Sequence, residues 1–433
     1  MRNTMMIGAL VVFAASCGKK ASAPEVDEGA KAAAQAQSVV AAEAAGSGSV
    51  AKPGEFVAEI KDEPPLGLPA VPTPADNELT PAKVRLGNVL FNEKRFSSTG
   101  EVNCATCHDA AKAFTDSPLS VSEGVNKLTG TRNAPTVINA AFNSAQFWDG
   151  RRPDLEGQSG DPFLNPVEMN LPSHDAIVDL VRKDPAYQSL FKEAFGVEPD
   201  AITIDHVKAA IASFERVVIS GNSPFDRWRY GGEEDAISEQ AKRGFDVFLN
   251  QGRCESCHTT SETFALFQDG KFHNLGIGFS RIDTDLDRVA AEYQHVAQTD
   301  QAADEAILGD AKISEIGRYA VSREMQDIGQ FKTPTLRNIA ATAPYMHDGS
   351  LKTLREVVSF YNTTISPHED QSQEANPFQS GGIRPLNLSD EQIDDLVAFL
   401  ETLTSPEFGD AAKTSLAEQA KIDAGTSGAA GGI

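Results

Sequence analysis

Basic residues are scarce: 38 Lys and Arg stand against 62 Asp and Glu, a formal charge of −24. That balance argues against nucleic acid as a partner, because a polyanion is repelled, and leaves room for a basic or neutral one. Long apolar runs are also missing. The longest, Met5 to Ala15, is too short to cross a bilayer as a helix. With Arg2 before it and Ala14, Ala15 and Ser16 leading to Cys17, it has the layout of an export signal. A cysteine directly after small residues resembles the lipoprotein pattern, in which the cysteine is acylated and becomes the mature N-terminus. An ordinary cleaved signal is the plainer alternative. The expectation is a signal over 1–16 and a periplasmic protein whose membrane contact is a lipid anchor at Cys17.

Cysteine is nearly as scarce. Of five, one is Cys17 and the others form two copies of one motif, Cys104-x-x-Cys107-His108 and Cys254-x-x-Cys257-His258. No thiol remains for a structural disulfide, which in an exported chain suggests that all four are consumed by another covalent bond. Two cysteines three positions apart can both bond one haem while the adjacent imidazole reaches its iron, the pattern of c-type haem attachment. A thioredoxin-like pair does not need the histidine, and no further cysteines complete a zinc site. Two covalently attached haem c groups are therefore expected.

Alternating, strand-like runs are few, so the body is expected to be mainly α. Thr80-Pro81 opens a helix with Leu86, Val89 and Leu90 on one face, and Asp205 can cap one burying Val207, Ile211 and Phe214. Ser389 with Gln392 reads as a capping box ahead of Ile393, Leu396, Val397 and Leu400. The string AKVRLGNVLFN before the first motif is echoed by AKRGFDVFLN before the second, and the motifs stand 150 residues apart. Two tandem cytochrome c-like domains follow, one haem each, at 76–235 and 236–405. An Ala/Pro-rich flexible tether over 17–75 and a disordered tail over 406–433 flank them.

The sixth position of each iron decides between electron transfer and chemistry. Downstream of His258 the only methionines are Met325, in a polar stretch, and Met346, in the Pro- and Gly-bounded loop TAPYMHDGS. Met346 is the expected axial ligand of the C-terminal haem. The N-terminal haem has no comparable candidate: between His108 and the helix near Asp205 there are only His174 and Met169. Met169 follows Glu168, an acid that beside an open iron would take a proton from peroxide and return it to the leaving oxygen. A loop-ordering role is the bland alternative for Glu168.

These motifs, with RNAPTVINAAFNSAQFWDGR, NPVEMN, FHNLGIG and FKTPTLRNIAATAPYMHDGS, closely resemble bacterial di-haem cytochrome c peroxidases and their relative MauG over about residues 80 to 402. The resemblance implies a high-potential C-terminal haem that passes electrons to a peroxidatic N-terminal one. It places Glu168 on the catalytic glutamate, Gln158 and Pro162 on distal-pocket residues, and Trp148 between the haems, where a core aromatic is the plain reading. It implies Ca²⁺ between the domains, held by the Asn133 side chain and the Thr342 and Pro344 carbonyls. Where many members carry a histidine that ligates the peroxidatic iron, this chain has Val125, so a five-coordinate N-terminal haem is expected. The expected activity is reduction of hydrogen peroxide with electrons from a small c-type cytochrome or cupredoxin, and a homodimer is compatible with it. MauG-like oxidation of a protein partner and a di-haem electron carrier without substrate are the alternatives.

Overall fold

A computed structural model describes residues 58–363 and 376–425. The export signal, Cys17 and most of the tether lie outside the described residues. The fold is mainly α, and its sheet is a single antiparallel pair among the described residues, Phe272–His273 with Phe331–Lys332.

Each haem motif sits between two crossing helices. In the N-terminal unit the opening helix is Pro81–Phe91, begun by Thr80, whose hydroxyl accepts from Lys83 N, and burying Leu86, Val89 and Leu90. Its partner is Ile204–Val217. Here the cap differs from expectation: Thr203 is the extended residue before the helix, its N–H donating to His206 Nδ1 at 3.1 Å, and Asp205 lies inside the first turn. Both residue types favour caps, and a carboxylate in the first turn still suits the helix dipole. In the C-terminal unit Glu239–Leu249 crosses Asp390–Glu401, which starts in the expected Ser389–Gln392 capping box.

The two crossings are built alike. A Cβ on Gly87 would lie 1.9 Å from the Ala210 carbonyl oxygen, and one on Gly244 would lie 1.9 Å from that of Asp395. Each glycine lets its helix touch the partner's backbone, so any side chain there would push the pair apart.

Between its two short strands the C-terminal unit carries extra chain with its own core of Phe279, Ile282, Val289, Tyr293, Ile307 and Tyr319. This insertion leans on the N-terminal unit. Thr131 Oγ1 donates to Ile307 O at 2.9 Å, Arg132 Nη2 to Ser314 O at 2.9 Å, and Arg318 Nη1 to Gly150 O at 2.9 Å.

Both ends of the body depart from expectation. The stretch 58–75, read as part of a flexible tether, is docked: Leu68 is buried, Leu66 O accepts from Asn222 N at 2.8 Å, and Gly67 O accepts from Arg337 Nη2 at 2.6 Å. Composition alone could not show this, because the partners lie far along the chain. Asp226 completes the knot, receiving both Arg337 guanidinium nitrogens at 2.8 and 2.9 Å in full burial. Removing one partner of a buried pair strands the other charge, so Asp226→Ala is expected to cost about 3–5 kcal/mol in denaturant unfolding of the holoprotein. The expected disordered tail over 406–433 is likewise corrected for its described part, 406–425, and the rest lies outside the described residues. Gly409–Asp423 is a helix, with Phe408 and Ala412 buried against the core.

Candidate active site

Cys104–Cys107 forms one helical turn, held by Asn103, whose N–H donates to Thr106 Oγ1 at 3.0 Å. Residues three apart on a turn face the same way, so both sulfurs look to one side and His108 follows at the turn's end. His108 Nδ1 lies 3.3 Å from Phe114 O, and His258 Nδ1 lies 2.9 Å from Phe267 O. Phe114 and Phe267 both take left-handed φ, 56° and 52°. A carbonyl at Nδ1 fixes the tautomer and frees Nε2 for iron. Burial pushes both imidazoles down, keeping them neutral as ligation requires.

Around the second motif a cavity of about 530 Å³ is lined by Cys254, Cys257 and His258, by the apolar Phe248, Leu396 and Leu400, and by Met346. Its size, apolar walls and donor set fit a covalently held haem. Met346 therefore shares the space of His258. Met325 is 43% exposed and takes no part. The Met346 loop closes through Tyr345 N to Leu351 O at 2.7 Å. The unforeseen C-terminal helix braces it, since buried Gln419 donates to Tyr345 Oη at 3.1 Å and accepts from Leu354 N at 2.8 Å.

Near the first motif the loop 155–171 gathers the other candidates. Gln158 ends the turn Leu155–Gln158, and Pro162 sits in the next turn, its carbonyl accepting from Met169 N at 3.2 Å. Met169 is buried in the core, and His174 Nε2 is engaged by Gly160 O at 2.9 Å. Glu168 is half-buried. Its carboxyl is pushed up to about 7: burial is the largest cause, the Arg151 guanidinium opposes it, and Asp304 and Asp161 reinforce it. Its charge also helps push up the Cys104 and Cys107 thiols. Arg151 is held by Asp304 at 2.5 Å and by Asp149 at 3.2 Å. Val125 is 1% exposed, and its N–H donates to Glu168 O at 2.9 Å. The loop that could have carried an iron ligand is thus pinned to the Glu168 backbone with a valine side chain in the core.

Trp148 stands at the join of the units. Its Nε1 donates to Asn133 O at 2.9 Å, its carbonyl accepts from Lys332 N at 2.7 Å, and its indole lines the His258 cavity. Asn133, Thr342 and Pro344 line the same cavity. Asn133 donates its Nδ2 to Leu119 O and Ser120 O, at 3.3 and 3.1 Å, so its side-chain oxygen is the atom it could offer a cation. Oxygen donors of this kind suit Ca²⁺.

One site residue escaped the sequence reading. The turn Gln146–Arg152, closed by Gln146 N to Arg152 O at 2.7 Å, repeats the turn Tyr345–Leu351. In this register Phe147 takes the place of Met346, and both have left-handed φ, 65° and 73°. Phe147 packs 3.5 Å beneath the Arg151 guanidinium. The signal was present, since F-W-D-G and M-H-D-G match, but it has meaning only once the repeat's register is known.

Two family models divide the chain: di-haem cytochrome c peroxidase matches residues 81–235, and cytochrome c matches 241–404. The chain is 37% identical over 334 residues to the methylamine utilization protein MauG of Methylorubrum extorquens, covering 77% of this chain and 81% of that protein. It belongs to the family of di-haem cytochrome c peroxidases and MauG, whose cytochrome c domains carry two haem c groups. Cytochrome-c peroxidase IdrP1 of Denitromonas iodatirespirans is 34% identical, over 79% of this chain and 87% of that protein. Among solved structures, a MauG-like protein associated with microbial copper homeostasis superposes with a TM-score of 0.64 at 30% identity, covering 81% of this chain and 99% of that one.

Proposed function

We propose that this protein reduces hydrogen peroxide to two waters in the periplasm, taking two electrons from a small c-type cytochrome or cupredoxin and two protons from solvent. The observation that carries this reading is an asymmetry inside a repeat: Met346 shares the His258 cavity, while the equivalent place in the N-terminal unit holds Phe147, which cannot bond iron. When bound, the haems supply the redox chemistry that splits the O–O bond, with His108 holding the N-terminal iron and His258 with Met346 the C-terminal one. Glu168 accepts the proton from one peroxide oxygen at its carboxylate and returns it to the departing one. Arg151 keeps part of the charged form available. Gln158 and Pro162 shape the space beside Glu168. Trp148 spans the wall between the units on the electron's path, and Asn133, Thr342 and Pro344 would hold Ca²⁺ beside it.

The same asymmetry disfavours a pure electron carrier, which needs both irons fully ligated, and Val125 argues the same way. Oxidation of residues on a protein partner is the second reading, favoured by the 37% identity to a MauG. The resemblance implies a tyrosine at this place in MauG, where this chain has Met346, and that supports the peroxidase. The lipid anchor at Cys17 and a homodimer belong to the same proposal.

The ferric holoprotein should show one high-spin and one low-spin haem by electron paramagnetic resonance. Two low-spin signals would remove the open site. Steady-state peroxide turnover with a reduced small cytochrome, measured before and after prereduction, tests the activity itself.

A further inference from the structure

The closing helix of the N-terminal unit carries a carboxylate that its repeat lacks. Three pairs of contacts fix the register between Ile204–Val217 and Asp390–Glu401 and the turns after them. Gly87 meets Ala210 O as Gly244 meets Asp395 O. Val218 O accepts from Asn139 N at 2.8 Å as Leu403 O accepts from Asn338 N at 3.0 Å. Asn139 Oδ1 accepts from Ser220 N at 3.0 Å as Asn338 Oδ1 accepts from Ser405 N at 2.8 Å. In that register Glu215 stands where the other unit has Leu400, and Ile211 where it has Leu396. Leu396 and Leu400 both line the C-terminal haem cavity. Glu215 thus faces the N-terminal haem, and its charge is felt at Cys104, whose thiol it helps push up.

Glu215 is 6% exposed, and its Oε2 is buried without a hydrogen-bond partner. Few charges surround it. Arg216, next on its helix, turns to Glu156 on the adjoining turn, at 2.8 and 3.0 Å. On the opening helix, Lys83 bonds Asn77 Oδ1 at 3.0 Å and Arg85 pairs with Glu193, while Arg182 of Asp175–Lys183 bonds Ile202 O at 2.6 Å. Burial pushes the Glu215 carboxyl up to about 8, with Arg216 opposing and Glu156 reinforcing. A buried acid without partners ionises only when a positive charge helps it. A ferric haem carries one net positive charge and a ferrous haem none.

We propose that Glu215 is the redox-linked proton acceptor of the N-terminal haem site: for each electron that a haem bound there would accept, the Glu215 carboxylate takes one proton from solvent. Glu168 handles the substrate's protons and Glu215 the electron's. The residue balances charge in the pocket, so each electron enters without building net negative charge in an apolar space. The inference rests on the N-terminal haem of the proposed function and not on its substrate, so its test reads potentials, which a wrong substrate would leave unmoved.

The N-terminal haem potential of the holoprotein, followed by spectroelectrochemistry from about pH 6 to about pH 9, is expected to fall as pH rises. Glu215→Gln should lose that slope, as should Glu215→Leu, which copies the C-terminal unit. Glu168→Gln should keep it, and the C-terminal potential should be unmoved by the Glu215 changes. The reduced-minus-oxidised infrared difference spectrum of the unaltered protein should gain a protonated-carboxyl band on reduction, a reading that stands even if neither variant loads haem. A wild-type potential flat with pH, a slope kept in both Glu215 variants or lost in Glu168→Gln, or no carboxyl band would overturn the proposal.

Discussion

Glu168→Gln is expected to keep both haems and to slow peroxide turnover by about 10²-fold or more, the scale of a lost acid–base group. The amide fills the same volume, and Glu168's backbone, through which Val125 N is held, is unchanged. What disappears is an oxygen able to take a proton. The pH profile separates this from a packing effect. With its carboxyl near 7, Glu168 accepts a proton only when ionised, so wild-type turnover should climb as pH rises through about 7 and level off above it. The variant should be flat across that window. Unchanged turnover, or a wild-type limb that survives the substitution, would move the shuttle to another residue.

Met346→Leu should open the C-terminal iron, replacing the low-spin signature of that haem with a high-spin one. Met346→His should keep six ligands but lower the potential by a few tenths of a volt, within the roughly 0.8 V that axial ligands span. Cytochrome-driven turnover should fall in both, because an electron held at lower potential is taken less readily from the donor. Besides His258, the two histidines that line the cavity are engaged elsewhere. Among the described residues lining the cavity, His347 is stacked on Phe331 at 3.6 Å and bonded to Glu315 at 2.9 Å, while His273 is held by Asp269 at 2.8 Å. Spectra and potentials indistinguishable from wild type would show that Met346 is not the ligand.

Haem attachment is legible in the chain because its chemistry is local: two sulfurs and an imidazole within five residues need only one turn to act together. The crossing helices are legible for the same reason, since capping boxes and apolar stripes are short-range patterns. The docked segment around Gly67 was not, because Arg337 lies 270 residues away and low-complexity composition carries no record of a distant partner. The C-terminal helix escaped as well. Its buried face is narrow and built largely from small or polar residues, Ala412, Ser415 and Gln419.

The sequence by itself determined what the protein carries: two covalent haems on two mainly helical, duplicated units, each with its proximal histidine. Only the tertiary structure decided how the copies differ, setting Phe147 where the other unit has Met346 and Glu215 where it has Leu400. The physical reason is that equivalence between two copies is a relation of space. Insertions of unequal length shift the numbering between them, and only the matched backbone contacts at Gly87 and Gly244 and at Asn139 and Asn338 restore the register.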